Sequence, residues 1–197
     1  VSGYSLFKIL RWIPKTGGGP GLAGKGPVGH ILYLKNERPE IYKKTHKFLE
    51  AKDFMNLKLT GKFLSTYCSN HLLWCLDIRD LDNIQYIDKL IKILGLDKEK
   101  LPGMIKSTDV LGLLKKEVCE EIGLPNPIKV FGGSPDLQMA AIGSGAVQDH
   151  QAHIYLGTSS WVITHVPMKK TDIMHNMASV PSANPAKYGC YWARKRR

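Results

Sequence analysis

Acidic residues are missing from the first thirty positions, where Lys8, Arg11, Lys15 and Lys25 stand unopposed. Cysteine is scarce as well, with four in 197 residues, and apolar runs are short. Each shortage excludes something. Cys68, Cys75, Cys119 and Cys190 are too few and scattered for a disulfide scaffold, so a reducing cytoplasm is the expected compartment. No run approaches the ~18 apolar residues of a membrane span. The net charge of +11 suggests nucleic acid, yet its excess sits at the two ends. Arg194, Lys195, Arg196 and Arg197 close the chain, while the body is nearly balanced. A nucleic-acid surface concentrates charge on the folded body with aromatics interleaved, so that partner is not expected.

What remains is an ordinary globular composition, 43% hydrophobic and 23% charged, with 19 Gly and 11 Pro. The chain opens on Val1, and a fragment of a longer protein is expected. Apolar spacing predicts a helix over 4–13, stopped by Pro14, and then a Gly/Pro-rich loop over 16–29. Helices are predicted from about His30 to Asn36, from Pro39 through Ala51, over 84–94 and over 108–122. After Pro127 the texture changes. Ile128-Lys-Val-Phe131 reads as a buried strand ending in Gly132-Gly133. Ser134-Pro-Asp136 reads as a helix start, with Ser134 at the N-cap and Pro135 at the first helical position. The apolar runs 153–156 and 161–166 flank Gly157-Thr-Ser-Ser160 as a hairpin would. The class is α/β, helix-heavy in its first two thirds.

Several residue groups point towards chemistry. Cys68, His71 and Cys75 share a face if helical, but zinc wants a fourth ligand and none lies nearby. Buried thiols on an apolar face are the better reading, and no metal site is expected. Gly19 to Gly26 nearly spells a P-loop, but Gly26 replaces the hydroxyl residue and Pro27 follows at once. Gly157-Thr158-Ser159-Ser160 is either an anion cradle of backbone N–H groups and hydroxyls or an ordinary hairpin turn. Asp136 stands where strand hands over to helix, the usual place for ligand chemistry in α/β folds. It either accepts a proton in a reaction or simply complements the helix dipole.

These residues resemble the FGGY carbohydrate kinases, most closely their xylulokinase-like branch. The likeness covers about residues 1–188. It runs through Leu6–Trp12, His30–Lys35, Glu37–Glu40 and Lys52–Gly61, and sharpens at Gly132-Gly-Ser-Pro-Asp-Leu-Gln-Met-Ala-Ala-Ile-Gly-Ser-Gly145 and Leu156-Gly-Thr-Ser-Ser-Trp161. The resemblance implies a ribonuclease-H-like, actin-like ATPase fold, in two domains that close over a sugar. Residues 1–147 would belong to the first, sugar-binding domain and 148–188 would begin the second, ATP-binding one. Asp136 would be the catalytic base, and Gly157, Thr158 and Ser159 the loop that touches the ATP phosphates. Mg²⁺ would accompany ATP, and the acceptor would be xylulose or a related ketose or polyol.

Departures from the family pattern are specific. No Asp-x-Gly-Thr phosphate loop precedes these motifs, and the adenosine-binding motif is also missing. Cys68 stands near a position where relatives carry an acid, and Gly26 follows Lys25 where Asp is common. Residues 189–197 resemble nothing in the family and read as a basic tail. The alternative to a kinase is therefore a catalytically inactive remnant acting as an interaction module.

Overall fold

The computed structural model describes residues 6–20, 24, 26–157, 160–172 and 174–193. Helix α1, Leu6–Thr16, runs past Pro14 rather than stopping there. An exposed proline near a helix end forfeits one hydrogen bond, and here the true stop lies three residues later. Gly17 takes φ 69°, and its N–H reaches the Ile13 carbonyl at 2.8 Å. The helix α2, Pro27–Glu37, places proline at its first turn, and α3, Pro39–Lys44, repeats the device. The expected continuation to Ala51 does not occur. Instead Phe48 N–H bonds the Lys100 carbonyl at 2.8 Å, and Lys47 Nζ bonds the Glu99 and Leu101 carbonyls. These ties straighten residues 45–50 before α4, Ala51–Thr60, which ends on Gly61 at φ 78°.

Strand β1, Leu64–Thr66, leads into the short α5, Tyr67–Asn70, and a 3-10 turn, His71–Leu73. Next come β2, Leu76–Asp77, β3, Gln85–Tyr86, and α6, Asp88–Leu94. Strand β4, Gly103–Ile105, pairs in parallel with β1. The helix expected over 108–122 is two elements, β5, Val110–Leu113, and α7, Lys116–Ile122. Gly112 weakens a helix there, and the run pairs instead with β6, Lys129–Phe131. Contrary to expectation β6 is not buried, since Lys129 and Phe131 are exposed. Val110, Leu113 and Phe131 of the two-stranded β5–β6 pair are each about half exposed.

Helix α8, Asp136–Gly143, is followed by β7, Ala152–Leu156, β8, Ser160–Val166, β9, Met177–Pro181, and β10, Tyr188–Ala193. These four strands form one antiparallel sheet in the order β7-β8-β10-β9. Residues 189–193 of the segment read as a tail thus lie in an inner strand. Cysteine, tyrosine and tryptophan suit a half-buried pleated surface whatever their origin. Residues 194–197 lie outside the described part.

Two cores hold the chain together. One joins α1, α2, α3 and α6 through Trp12, Ile31, Tyr42, Leu90 and Ile91. The other joins the β2 region to the four-stranded sheet through Leu76, Ile78, Ile84, Val166 and Tyr188. Tyr188 also donates its hydroxyl to the Ile78 carbonyl at 2.8 Å, and Ser179 N–H bonds the Gly17 carbonyl at 3.0 Å. Apolar burial and backbone bonds therefore carry the sheet onto the first part of the chain. No helix among the described residues is long and apolar enough to cross a membrane.

Candidate active site

The turn between β6 and α8 is anchored by backbone bonds and leads to an exposed carboxylate. Gly132 N–H bonds the Asp109 carbonyl at 3.0 Å, and Gly133 N–H bonds the Ser107 carbonyl at 2.9 Å. A Cβ on Gly132 would stand 2.6 Å from Thr66 Cγ2 and 2.9 Å from the Lys106 carbonyl oxygen, and Gly133 adopts φ 73°. Both glycines are therefore required, one by close approach and one by its backbone angle. Ser134 is buried, with Oγ 3.2 Å from Cys68 Sγ and 3.4 Å from Gln138 Oε1.

The helix begins one residue later than its sequence suggested. Pro135, at φ −61° and ψ 159°, is the capping residue, and Asp136 takes the first helical position. The Pro135 carbonyl accepts the Gln138 and Met139 N–H groups, closing the first turn. Asp136 Oδ1 accepts the Leu137 N–H at 2.7 Å, and the side chain is exposed. Solvent access leaves the carboxylate open to an incoming hydroxyl.

Helix α8 packs on β7 and β8. Its far end is tied to β7 by Ser144 Oγ, 2.8 Å from His153 Nδ1, and its buried Gln138 donates to the Pro181 carbonyl at 2.6 Å. The helix that carries Asp136 is thus bonded to both outer strands of the sheet whose β7–β8 hairpin carries the second motif. Gly157 follows β7, and a Cβ there would stand 2.6 Å from the Tyr155 hydroxyl. Tyr155 in turn stacks on Trp161 at 4.9 Å between ring centroids. Thr158 and Ser159 lie outside the described residues.

The other candidates fall into separate surroundings. Cys68 faces Thr66 and Ser134, Cys75 belongs to the first core, and His71 meets Trp74 edge-on at 5.0 Å. Burial pushes the Cys75 thiol up to about 12. Among the described residues no group of three or more His, Cys, Asp or Glu could hold a metal ion. Of the P-loop-like segment, Gly21 to Ala23 and Lys25 lie outside the described residues, and a helix, α1, leads into it where a P-loop wants a strand.

Burial holds the His71 imidazole neutral, down to about 4, with the Thr16 and Ser179 carbonyls beside it but outside hydrogen-bonding geometry. A histidine with a depressed pKa contributes stability above its unfolded value of 6.5, and that contribution is lost as pH falls towards 4. The loss should reach about 3 kcal/mol near pH 4. Asp77 and Asp97, held low by Arg79 and Lys35, weaken the fold only at more acidic pH. Denaturant melts of wild type and His71→Leu between pH 7 and 4 check this. The wild type should lose stability through that window and the variant clearly less, keeping only the slope from His165, whose imidazole burial also holds below its usual value. Parallel curves would remove His71 as the cause.

Sequence reasoning missed the polar residues beneath the turn. Asp53 and Asn56 are the buried residues of α4, while Phe54 and Met55 are 50% and 57% exposed. Asp53, Asn56 and Thr60 recur at the spacing of one helix face, and that polar seam was the available signal.

The N-terminal-domain model of the FGGY family of carbohydrate kinases matches residues 18–143. This chain belongs to that family. It is 32% identical over 137 residues to the xylulose kinase of Lactococcus lactis, covering 70% of this chain and 27% of that protein. To the L-fuculokinase of Escherichia coli it is 25% identical over 142 residues, covering 72% and 29%. In fold it is similar to ligand-bound xylulose kinase from Lactobacillus acidophilus, with a TM-score of 0.79 at 24% identity, over 93% of this chain and 36% of that one. Plasmodium falciparum glycerol kinase with ADP gives a TM-score of 0.75 at 20% identity, over 97% and 38%. The fold is that of the actin-like sugar kinases. The chain spans roughly a quarter to a third of the length of the curated relatives named here.

Proposed function

We propose that this chain is the central part of an ATP-dependent kinase that phosphorylates a sugar hydroxyl, xylulose or a related ketose or polyol. The observation that carries the reading is Asp136, an exposed carboxylate opening a helix behind a turn fixed at every residue. Residues 1–147 then belong to the sugar-binding domain and 148–188 begin the ATP-binding one. In the transfer, Asp136 takes the proton of the acceptor hydroxyl as its oxygen bonds to the γ-phosphorus of ATP. The bond from that phosphorus to the bridging oxygen breaks, and ADP leaves. Gly157, Thr158 and Ser159 supply the backbone and hydroxyl groups that face the phosphates. There is little covalent work for the protein beyond this, so positioning and charge stabilisation dominate. The described residues offer no cluster suited to Mg²⁺, so no step is assigned to a protein-held metal.

The test uses a kinase of full family length that carries this segment. Offered ATP with xylulose, ribulose, glycerol or fuculose, it should phosphorylate the xylulose-type acceptor with the highest kcat/KM. Equal silence towards all four would end the reading, and preference for another sugar would end its xylulose part.

A further inference from the structure

Helix α4 is built the wrong way round for a helix covering a core. Its buried residues are Asp53 and Asn56, and its apolar Phe54 and Met55 are half exposed. The polar side faces one backbone atom, the Gly132 carbonyl oxygen. Lys52 Nζ donates to it at 2.7 Å and Asn56 Nδ2 at 2.9 Å. Lys52 Nζ also donates to Asp53 Oδ1, and Asp53 Oδ2 accepts the Ser65 hydroxyl at 2.6 Å. Asp53 itself is fully buried. A buried carboxylate is costly unless charge-paired and hydrogen-bonded, and this one is both.

Stability alone does not call for this arrangement, because apolar side chains of similar volume commonly do as well as a buried ion pair. What the arrangement supplies is direction. Two donors converging on one carbonyl, one of them cationic, fix the peptide plane between Gly132 and Gly133, a point where glycine would otherwise leave the backbone free to turn. Three residues further on, with Pro135 rigid between, Asp136 starts α8.

We propose that Lys52 and Asn56 are positioning residues for Asp136, with Asp53 and Ser65 holding Lys52 in place. They set the plane of the Gly132 carbonyl and thereby the direction from which the carboxylate meets its substrate. The inference rests on the reading of Asp136 as the base. Misplacing a catalytic group by about 1 Å can cost roughly 10²-fold, so the clamp belongs to kcat rather than to substrate affinity.

Two variants and one conservative control test it. Lys52→Met keeps the aliphatic stem and removes the donor, and Asn56→Leu removes the other donor at similar volume. Lys52→Arg keeps charge and reach. In the isolated chain, amide resonances of 132–134, 136 and 137 should move in Lys52→Met and Asn56→Leu. Exchange of the Gly132 and Gly133 amides should rise about tenfold or more in Lys52→Met, the loss of one charge-assisted bond, and by less in Asn56→Leu, the loss of a neutral one. Exchange in β8 and β10 should stay unchanged, and Lys52→Arg should restore most of the wild-type pattern. A kinase of full family length carrying Lys52→Met should lose roughly 10–100-fold in kcat with KM nearly constant. Unmoved resonances at those positions, or exchange rising equally throughout, would overturn the positioning role while leaving the base assignment standing. Full turnover by Asp136→Asn would instead end the base assignment, and this inference with it.

Discussion

Purified alone, the 197-residue chain is expected to release no ADP above background from ATP with xylulose, ribulose or glycerol. Phosphoryl transfer depends on assembling base, phosphate contacts and metal around one phosphorus, and little of the rate survives when parts are absent. This sequence contains no Asp-x-Gly-Thr loop, and it covers 36% of the ligand-bound xylulose kinase whose fold it shares. Asp136 is exposed rather than enclosed, and charge stabilisation is weak in water. The same chain should associate at high concentration. Leu113, Phe131 and Ile154 are each more than half exposed, and Leu156 is 82% exposed, on short strands with open edges. A coupled ADP assay on monomer separated by size decides the matter. Turnover in the kinase range of ~1–100 s⁻¹ would mean that the site is complete within these residues.

In a kinase of full family length, Asp136→Asn should remove most activity and leave the fold intact. Asparagine is as good as aspartate around a helix start, so only a small dipole contribution is lost. The Leu137 N–H can still bond the side-chain carbonyl oxygen that replaces Oδ1. What asparagine cannot do is accept the hydroxyl proton. General-base catalysis contributes roughly 10²–10⁴-fold, or about 3–5 kcal/mol of barrier. The loss should fall on kcat, with KM for the sugar little changed. If Asp136 only complements the helix dipole, kcat stays near normal and the melting temperature drops slightly.

Much of this was legible in the sequence, for reasons that differ from residue to residue. The break from β6 to α8 was visible because Gly132-Gly133 and Ser134-Pro135 each force a local conformation. The β7–β8 hairpin was visible because its strands are apolar and its tip is not. The strand at 110–113 was hidden, because Val-Leu-Gly-Leu sits at the edge of a run with helical spacing and its partner lies sixteen or more residues away. The end of α1 was misplaced because Pro14 is tolerated so near the terminus, where Gly17 makes the stop. Asp136 stood out by its place in a motif, but its support did not. Lys52, Asp53 and Asn56 act through a carbonyl some eighty residues downstream, and a backbone oxygen leaves no mark in a sequence.

The most direct test of the account is a single-turnover measurement of phosphoryl transfer, with wild type beside Asp136→Asn in a kinase of full family length. Enzyme saturated with sugar is held in excess over ATP, and binding of the sugar is measured separately on both proteins. The account predicts equal sugar binding and a transfer rate at least about 10²-fold lower in the variant. Transfer at the wild-type rate, with the sugar bound equally well, would contradict it.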